Sequence, residues 1–310
     1  MRSETSSHTP VSELRVHGQL LLGRALVTTS FTVGAAITHA LDPELLTFLR
    51  FALATALFAP YIIWRHGFAI PGVKAFVGYF LISACVVIFF WCMFEALRLT
   101  SALNAAALYT LLPGVAAIYA VILVREKIGV SRLAALVIGA LGALWVLFKG
   151  DWELFLGLAF NQGDLIFLLG LLAMGLYTPL VRRFNRNEPA AVMAFWVLAT
   201  GTIWLALLNN VAIFKLDMWA IDVTVLLGVA YLAVFTTIIS FFIMQHATLH
   251  LGPTKVMSYG YLTPALVAAF EFAAGNGAPA PIVLPGIALT IAAMFVMQCR
   301  YFDAKTVGRG

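Results

Sequence analysis

Charge is what this sequence has least of. Only 11% of its 310 residues are Asp, Glu, Lys or Arg, and 62% are hydrophobic, where a soluble domain carries about a quarter charged residues. A soluble chain of this length could not hide so much apolar surface, which excludes an ordinary globular enzyme. Cysteine is scarce too. Cys85, Cys92 and Cys299 fall in apolar stretches without framework or paired-ligand spacing, so they are read as small packing residues rather than disulfide or metal-site cysteines. The motifs G-x-x-x-x-G-K-[ST], G-x-S-x-G and H-E-x-x-H do not occur. ATP hydrolysis by this chain is therefore not expected, nor is a cofactor. His246 and His250 stand one helical turn apart but lack a third ligand, so no metal is expected.

What the chain does have is long apolar runs. Stretches of about 20 apolar residues, the length that crosses about 30 Å of hydrocarbon at 1.5 Å per residue, recur from end to end. The first exceeds a signal-peptide core and ends in THALDPE without a cleavage site, so it reads as a membrane helix. The expected fold is an all-α polytopic membrane protein with ten transmembrane helices, at 18–40, 44–64, 73–97, 101–124, 131–149, 163–183, 190–209, 222–247, 253–273 and 281–301. The apolar LFLGLAF before residue 161 is too short to span and is read as an interfacial segment.

The cations orient these spans. With the N-terminus cytoplasmic, inside segments hold Arg2, Arg15, Arg65, Lys74, Arg125, Lys127, Arg132, Arg182, Arg183, Arg186, Lys255, Arg300, Lys305 and Arg309. Outside segments hold Arg98, Lys149 and Lys215, so fourteen cations face three. That is the positive-inside bias, and it puts both termini in the cytoplasm of a bacterial inner membrane. The basic balance reports orientation and implies no nucleic acid.

The chain also contains itself twice. ALYTLLPGV around Pro113 and SYGYLTPAL around Pro264 lie 151 residues apart. At that offset Ala96 falls on Ala247, Trp91 on Phe242 and Thr110 on Tyr261; Gly18 matches Gly163 if the loops absorb a few residues. Five helices repeated must be inverted in the membrane, an architecture of transporters with a site near the midplane. The organisation expected is a cytoplasmic tail over 1–17, a five-helix repeat over 18–149, a periplasmic linker over 150–162, a second repeat over 163–301 and a tail over 302–310.

Arg50 after DPELLTFL, Ala96-Leu97, Ser101-Ala102, Pro113 and Arg125-Glu126 together resemble the EamA-type drug/metabolite transporter pattern. GDLIFLLGLLAMGLYTPLVRR is similar to the start of that family's second repeat, and the resemblance covers the chain from about residue 18. Within the family, LHLGPTKVMSYGYLTPAL most resembles aromatic amino acid exporters. Asn276-Gly277 departs from the Gly-Glu usual at the end of span nine. The resemblance implies two inverted five-helix repeats and export or exchange of small metabolites.

Intramembrane charge is expected only toward helix ends. Arg24 lies about a turn and a half into span one and Arg50 in the outer third of span two, where it is assigned a structural role. Glu95, Lys255 and Glu271 lie at span ends. Span one carries no acid, unlike the small multidrug-type proton antiporters that the family resembles in helix topology. A cavity without midplane charge suits neutral or zwitterionic substrates. The candidate substrate-binding residues are Trp91, Thr110, Tyr177, Phe242, Gln245, Ser258, Tyr259 and Tyr261, with Thr28, Thr29 and Ser30 beside them. Pro113 and Pro264 are candidate kink or gating residues. Aromatic walls with a few polar groups fit amino acids or similar small metabolites. Ala135, Gly139 and Ala143 form a small-residue ridge for close helix packing. A secondary transporter acting as a monomer is the expectation. Export of other small amphiphiles or drugs is the alternative, and a channel or intramembrane enzyme belongs to a different class.

Overall fold

The structure is a computed structural model that describes residues 10–67, 69–124, 129–151, 153, 160–184, 186, 188–208, 221–240, 243, 247, 256 and 258–307. Among the described residues the regular structure is entirely helical. Its elements are α1 Pro10–Ile37, α2 Pro43–His66, α3 Val73–Ala96, α4 Ala102–Tyr109, α5 Leu112–Val124 and α6 Val130–Leu147. They continue with α7 Gln162–Phe184, α8 Ala190–Leu208, and α9 Val223–Ala233 running into a π-helical segment, Val234–Ile239. A 3-10 segment, Tyr259–Leu262, leads into α10 Thr263–Ala273, and a second, Pro281–Val283, into α11 Leu284–Val307. Among the described residues, six helical stretches are long and apolar enough to cross a membrane, and Leu133–Leu147, Val223–Ile239 and Pro281–Met297 are shorter apolar helices.

Large apolar side chains line the outside at helical spacing: Leu133, Val137 and Leu141 on α6, and Leu165, Leu169 and Leu172 on α7. Stripes of this kind are what lipid, rather than water, wets. The chain is a multi-pass membrane protein.

Local sequence explains where helices start and stop. Pro43 sits in the first turn of α2, where its missing N–H costs nothing. Gly67 ends the helix at φ 73°, a backbone angle that favours glycine, and its N–H bonds back to Ile63 O. Ser101 Oγ caps α4 by accepting from the Asn104 N–H at 3.1 Å. Asp222 caps α9 the same way through the Thr224 N–H at 2.7 Å, and hydrogen bonds from Thr224 hold its carboxyl below the ordinary value. Asn161 and Asp164 cap α7 reciprocally, each backbone N–H bonding to the other's side chain.

Glycine sets how closely helices approach. α3 and α7 pack antiparallel along their length, with Gly78 against Phe184, Cys92 against Gly170 and the Ala96 carbonyl against Gly163. A Cβ on Gly170 would come within 2.7 Å of the Cys92 Cβ, so only glycine fits. α6 crosses α11 where Gly142 and Gly286 face each other's backbone carbonyls, and a Cβ on either would lie 2.7 Å from the opposing oxygen. α2 packs on α8, where a Cβ on Gly201 would meet the Phe51 ring at 2.8 Å. α4 packs on α10, and α1 on both α9 and its π-helical extension.

Four features depart from the continuous spans expected. α1 starts at Pro10, eight residues earlier, and α11 runs on to Val307. The fourth apolar stretch breaks between Tyr109 and Leu112, because Pro113 has no N–H to give the Tyr109 carbonyl. The ninth is interrupted by a 3-10 turn over Tyr259–Leu262 and continues as α-helix from Thr263, one residue before Pro264. Several expectations fall outside the described residues: Phe242, Gln245, His246, His250, Lys255, Arg125-Glu126 and most of LFLGLAF.

Candidate functional site

α1 is the element around which the broken helices gather. It packs against α4, α9, the π-helical segment, the 3-10 segment and α10. Its inward face carries Arg24, Thr28 and Phe31, all buried. The apolar stretch of this helix is Arg15–Ile37, so Arg24 lies nine residues inside it, about 14 Å at 1.5 Å per residue.

Arg24 is 3% exposed, and its Nε has no hydrogen-bond partner among the described residues. Its guanidinium carbon lies 6.0 Å from the centre of the Tyr109 ring. The Tyr109 ring meets Phe31 edge-on at 5.7 Å and Phe89 at 5.9 Å, and both of these pack on Phe167. Gly260 lies beside Arg24: a Cβ built on it would have Arg24 Nη2 as its neighbour at 3.9 Å, an ordinary van der Waals contact. Thr28 Oγ1 donates to Arg24 O at 2.8 Å, and Thr29 pairs with the Tyr231 hydroxyl at 3.0 Å.

The second buried arginine is held quite differently. Arg50 is 1% exposed; it donates from Nε to Thr237 Oγ1 at 2.9 Å and from Nη2 to Thr236 Oγ1 at 3.1 Å. Its guanidinium carbon stands 4.0 Å over the Phe90 ring. Both threonines also donate to the Leu232 carbonyl, and they lie in the π-helical segment, whose wider turn brings them round to one cation. A charge at a bilayer centre costs about 2.5–3.5 kcal/mol on insertion scales. Two hydrogen bonds to a charged group, each about 1.5–3 kcal/mol, and a close ring of about 2 kcal/mol offset a cost of that order for Arg50, whose Nη1 has no partner among the described residues.

The proline breaks share a local design. Leu112 opens α5 and Thr263 opens α10, the same 151 residues apart as the prolines. Thr110 Oγ1 donates to Ala107 O at 2.7 Å, and Thr263 Oγ1 donates to Gly260 O at 2.6 Å. The carbonyl that Pro264 deprives of its helical donor is thus already satisfied by a threonine.

The remaining candidates scatter. Thr110 is buried at the α4–α5 break, and Ser258 is buried at the start of the 3-10 segment. Tyr259 is half-buried and its hydroxyl lies 2.7 Å from His17 Nδ1 on α1. Tyr261 is fully buried among Ala293, Met294 and Ile138, and its ring fills the place a Cβ on Gly139 would take. Its hydroxyl has no partner among the described residues. Tyr177 packs into the cluster that α2, α3 and α8 share. Trp91 is 37% exposed, on the same outer stripe of α3 as Val77, Leu81 and Ile88. Arg24 and Tyr109 hold the central position, and both were present in the sequence as a cation in an apolar span and a ring before a proline. At the Asn276-Gly277 departure, Asn276 Nδ2 donates to Glu271 Oε2 at 2.7 Å, so a glutamate from the preceding turn reaches that corner.

Between the ends of α3 and α7, Thr100 Oγ1 donates to Asp164 Oδ1 at 2.8 Å and accepts from Asn161 Nδ2 at 3.1 Å. This knot fixes the junction of α3 with α7 and satisfies Asp164, which is 2% exposed.

Comparison with known proteins agrees with this architecture. The profile of the EamA-like transporter family matches residues 18–148 and 161–298. An uncharacterized transporter of Archaeoglobus fulgidus is 25% identical over 264 residues, which cover 84% of this chain and 89% of that protein. The uncharacterized transporter YyaM of Bacillus subtilis is 23% identical over 260 residues, covering 83% of this chain and 85% of its own. A solved crystal structure at 20% identity has the same fold, with a TM-score of 0.65 over 93% of this chain and 96% of that one.

Proposed function

This chain belongs to the EamA-like transporter family, and we propose that it exports or exchanges amino acids, aromatic and other neutral or zwitterionic ones, by alternating access. The observation that carries the reading is the pair of helix breaks at Leu112 and Thr263, in stretches that both pack against α1. The five helices before the linker and the five after it are inverted repeats in this reading. It is supported by the pairing of helices: α3 with α7 and α1 with α9, then α2 with α8, α4 with α10 and α6 with α11. Each first helix packs on the third of the other half, and the rest pack on their equivalents, as a two-fold relation requires. Two halves related this way can exchange conformations, and the exchange moves the opening from one membrane face to the other.

The substrate class is supported by the aromatic surroundings of Tyr109 and by the likeness of residues 249–266 to the corresponding stretch of the aromatic amino acid exporter YddG. Both termini face the cytoplasm of a bacterial inner membrane, as the cation bias suggests, and the monomer is the working unit. Proteoliposomes test the reading directly. Uptake of labelled phenylalanine should accelerate when unlabelled phenylalanine fills the lumen, at equal pH on both sides. Uptake indifferent to lumenal substrate would mean a channel, and no uptake of any amino acid in a competition panel would remove the substrate class.

A further inference from the structure

We propose that Arg24 is the anion-recognition residue of the transport site and binds the carboxylate of the substrate, which deepens the proposed function and rests on it. Three observations meet at this side chain. It is a cation nine residues into the apolar stretch Arg15–Ile37, and only 3% of it is exposed. Its Nε has no hydrogen-bond partner among the described residues, and the ion pair formed among them, Arg98 with Glu95, lies at the end of α3. A Cβ on Gly260 would stand 3.9 Å from its Nη2, an ordinary contact, so the glycine keeps the second half's backbone one methyl group back from the guanidinium.

The chemistry follows from the geometry. A guanidinium presents paired N–H groups in a plane that matches the two oxygens of a carboxylate. The Tyr109 ring on one side, 6.0 Å away, lies at the outer limit of a cation–π contact and cannot compensate a buried charge alone. Glycine at 260 lets the backbone stay back from the guanidinium, and the 3-10 turn there keeps Gly260 at the start of the second helix break. Arg24 belongs to the first half and Gly260 to the second, so a carboxylate bound to the guanidinium lies beside elements of both. Its entry and exit would then be felt by the two elements that alternating access must move. The organic part of the substrate faces the Tyr109, Phe31 and Phe89 rings.

The test uses three probes that differ only in charged groups: phenylalanine, phenylalaninamide and 3-phenylpropionate. Binding to purified full-length protein is followed by ligand-induced thermal stabilisation and by competition for uptake in proteoliposomes. The wild type should prefer the two carboxylates to the amide. Arg24→Gln should weaken both carboxylates about tenfold or more, the size expected for one charge-assisted hydrogen-bonded pair, and leave the amide within about twofold. Arg24→Lys should retain part of the preference. Gly260→Val keeps the arginine but sets a branched side chain against Nη2, and should impair the carboxylates in the same selective way; it serves if Arg24→Gln does not fold. Equal losses for all three probes in a folded variant, or no carboxylate preference in the wild type, would overturn the proposal while leaving the exporter reading intact. Conversely, 3-phenylpropionate bound through Arg24 with no transport of amino acids would support the anion site and overturn the amino acid reading.

Discussion

Arg24 and Arg50 are both buried arginines in adjacent helices, and each lacks a carboxylate partner among the described residues. The resemblance ends there. Arg50 bonds two threonines of the π-helical segment and lies 4.0 Å over Phe90, so its side chain joins α2, α3 and the end of α9 into one body. Arg24 has a ring at 6.0 Å and Gly260 beside its Nη2, and its Nε has no partner among the described residues. The same residue type is a structural fastener in one place and a waiting group in the other. What separates them is whether neighbouring helices have already supplied hydrogen-bond acceptors.

The comparison breaks most sharply at Arg50. Arg50→Ala removes one of the largest fully buried side chains together with both threonine bonds, and should cost about 3 kcal/mol. Thermal unfolding in detergent should show a clear drop, whereas Arg24→Gln should leave the midpoint close to wild type. Equal destabilisation by the two changes would erase the distinction. A smaller effect is expected from Thr237→Val, which keeps the shape but removes the acceptor of the Arg50 Nε bond. The loss should be about 1.5–3 kcal/mol, and in a double-mutant cycle with Arg50→Ala it should not add.

On the other side of the comparison, Tyr109→Leu strips the ring that faces Arg24, Phe31 and Phe89. Aromatic pairing lost there is worth about 0.5–1.5 kcal/mol, so substrate affinity measured by uptake should fall several-fold while stability moves little. An unchanged uptake constant would place the substrate elsewhere. The smallest effect is expected at Tyr261, whose buried hydroxyl has no partner among the described residues. Tyr261→Phe should leave stability equal or slightly higher and transport unchanged, because its ring packs on Gly139 between α6 and α11. A marked transport defect would return Tyr261 to the site.

Much of this molecule is legible in its residues. The scarcity of charge fixes the membrane class, Asp42-Pro43 and Ser101 mark helix starts, and Gly67 marks an end. The spacing of Pro113 and Pro264 anticipates where two helices break, because a missing N–H acts locally and needs no partner. The site is less legible, and the reason is specific to membranes. In a soluble helix the polar face betrays the outside, but here the lipid face and the packed face are both apolar. Trp91 and Phe89 are equally hydrophobic letters two residues apart, yet one is 37% exposed and the other 4%. Only the packing of α3 on α7 and α8 decides between them. Tertiary structure likewise decided that Arg50 meets Thr236 and Thr237, more than 180 residues away, and that no described side chain bonds the Nε of Arg24. A sequence lists its charges, but whether a charge is satisfied depends on acceptors brought from the other half of the chain.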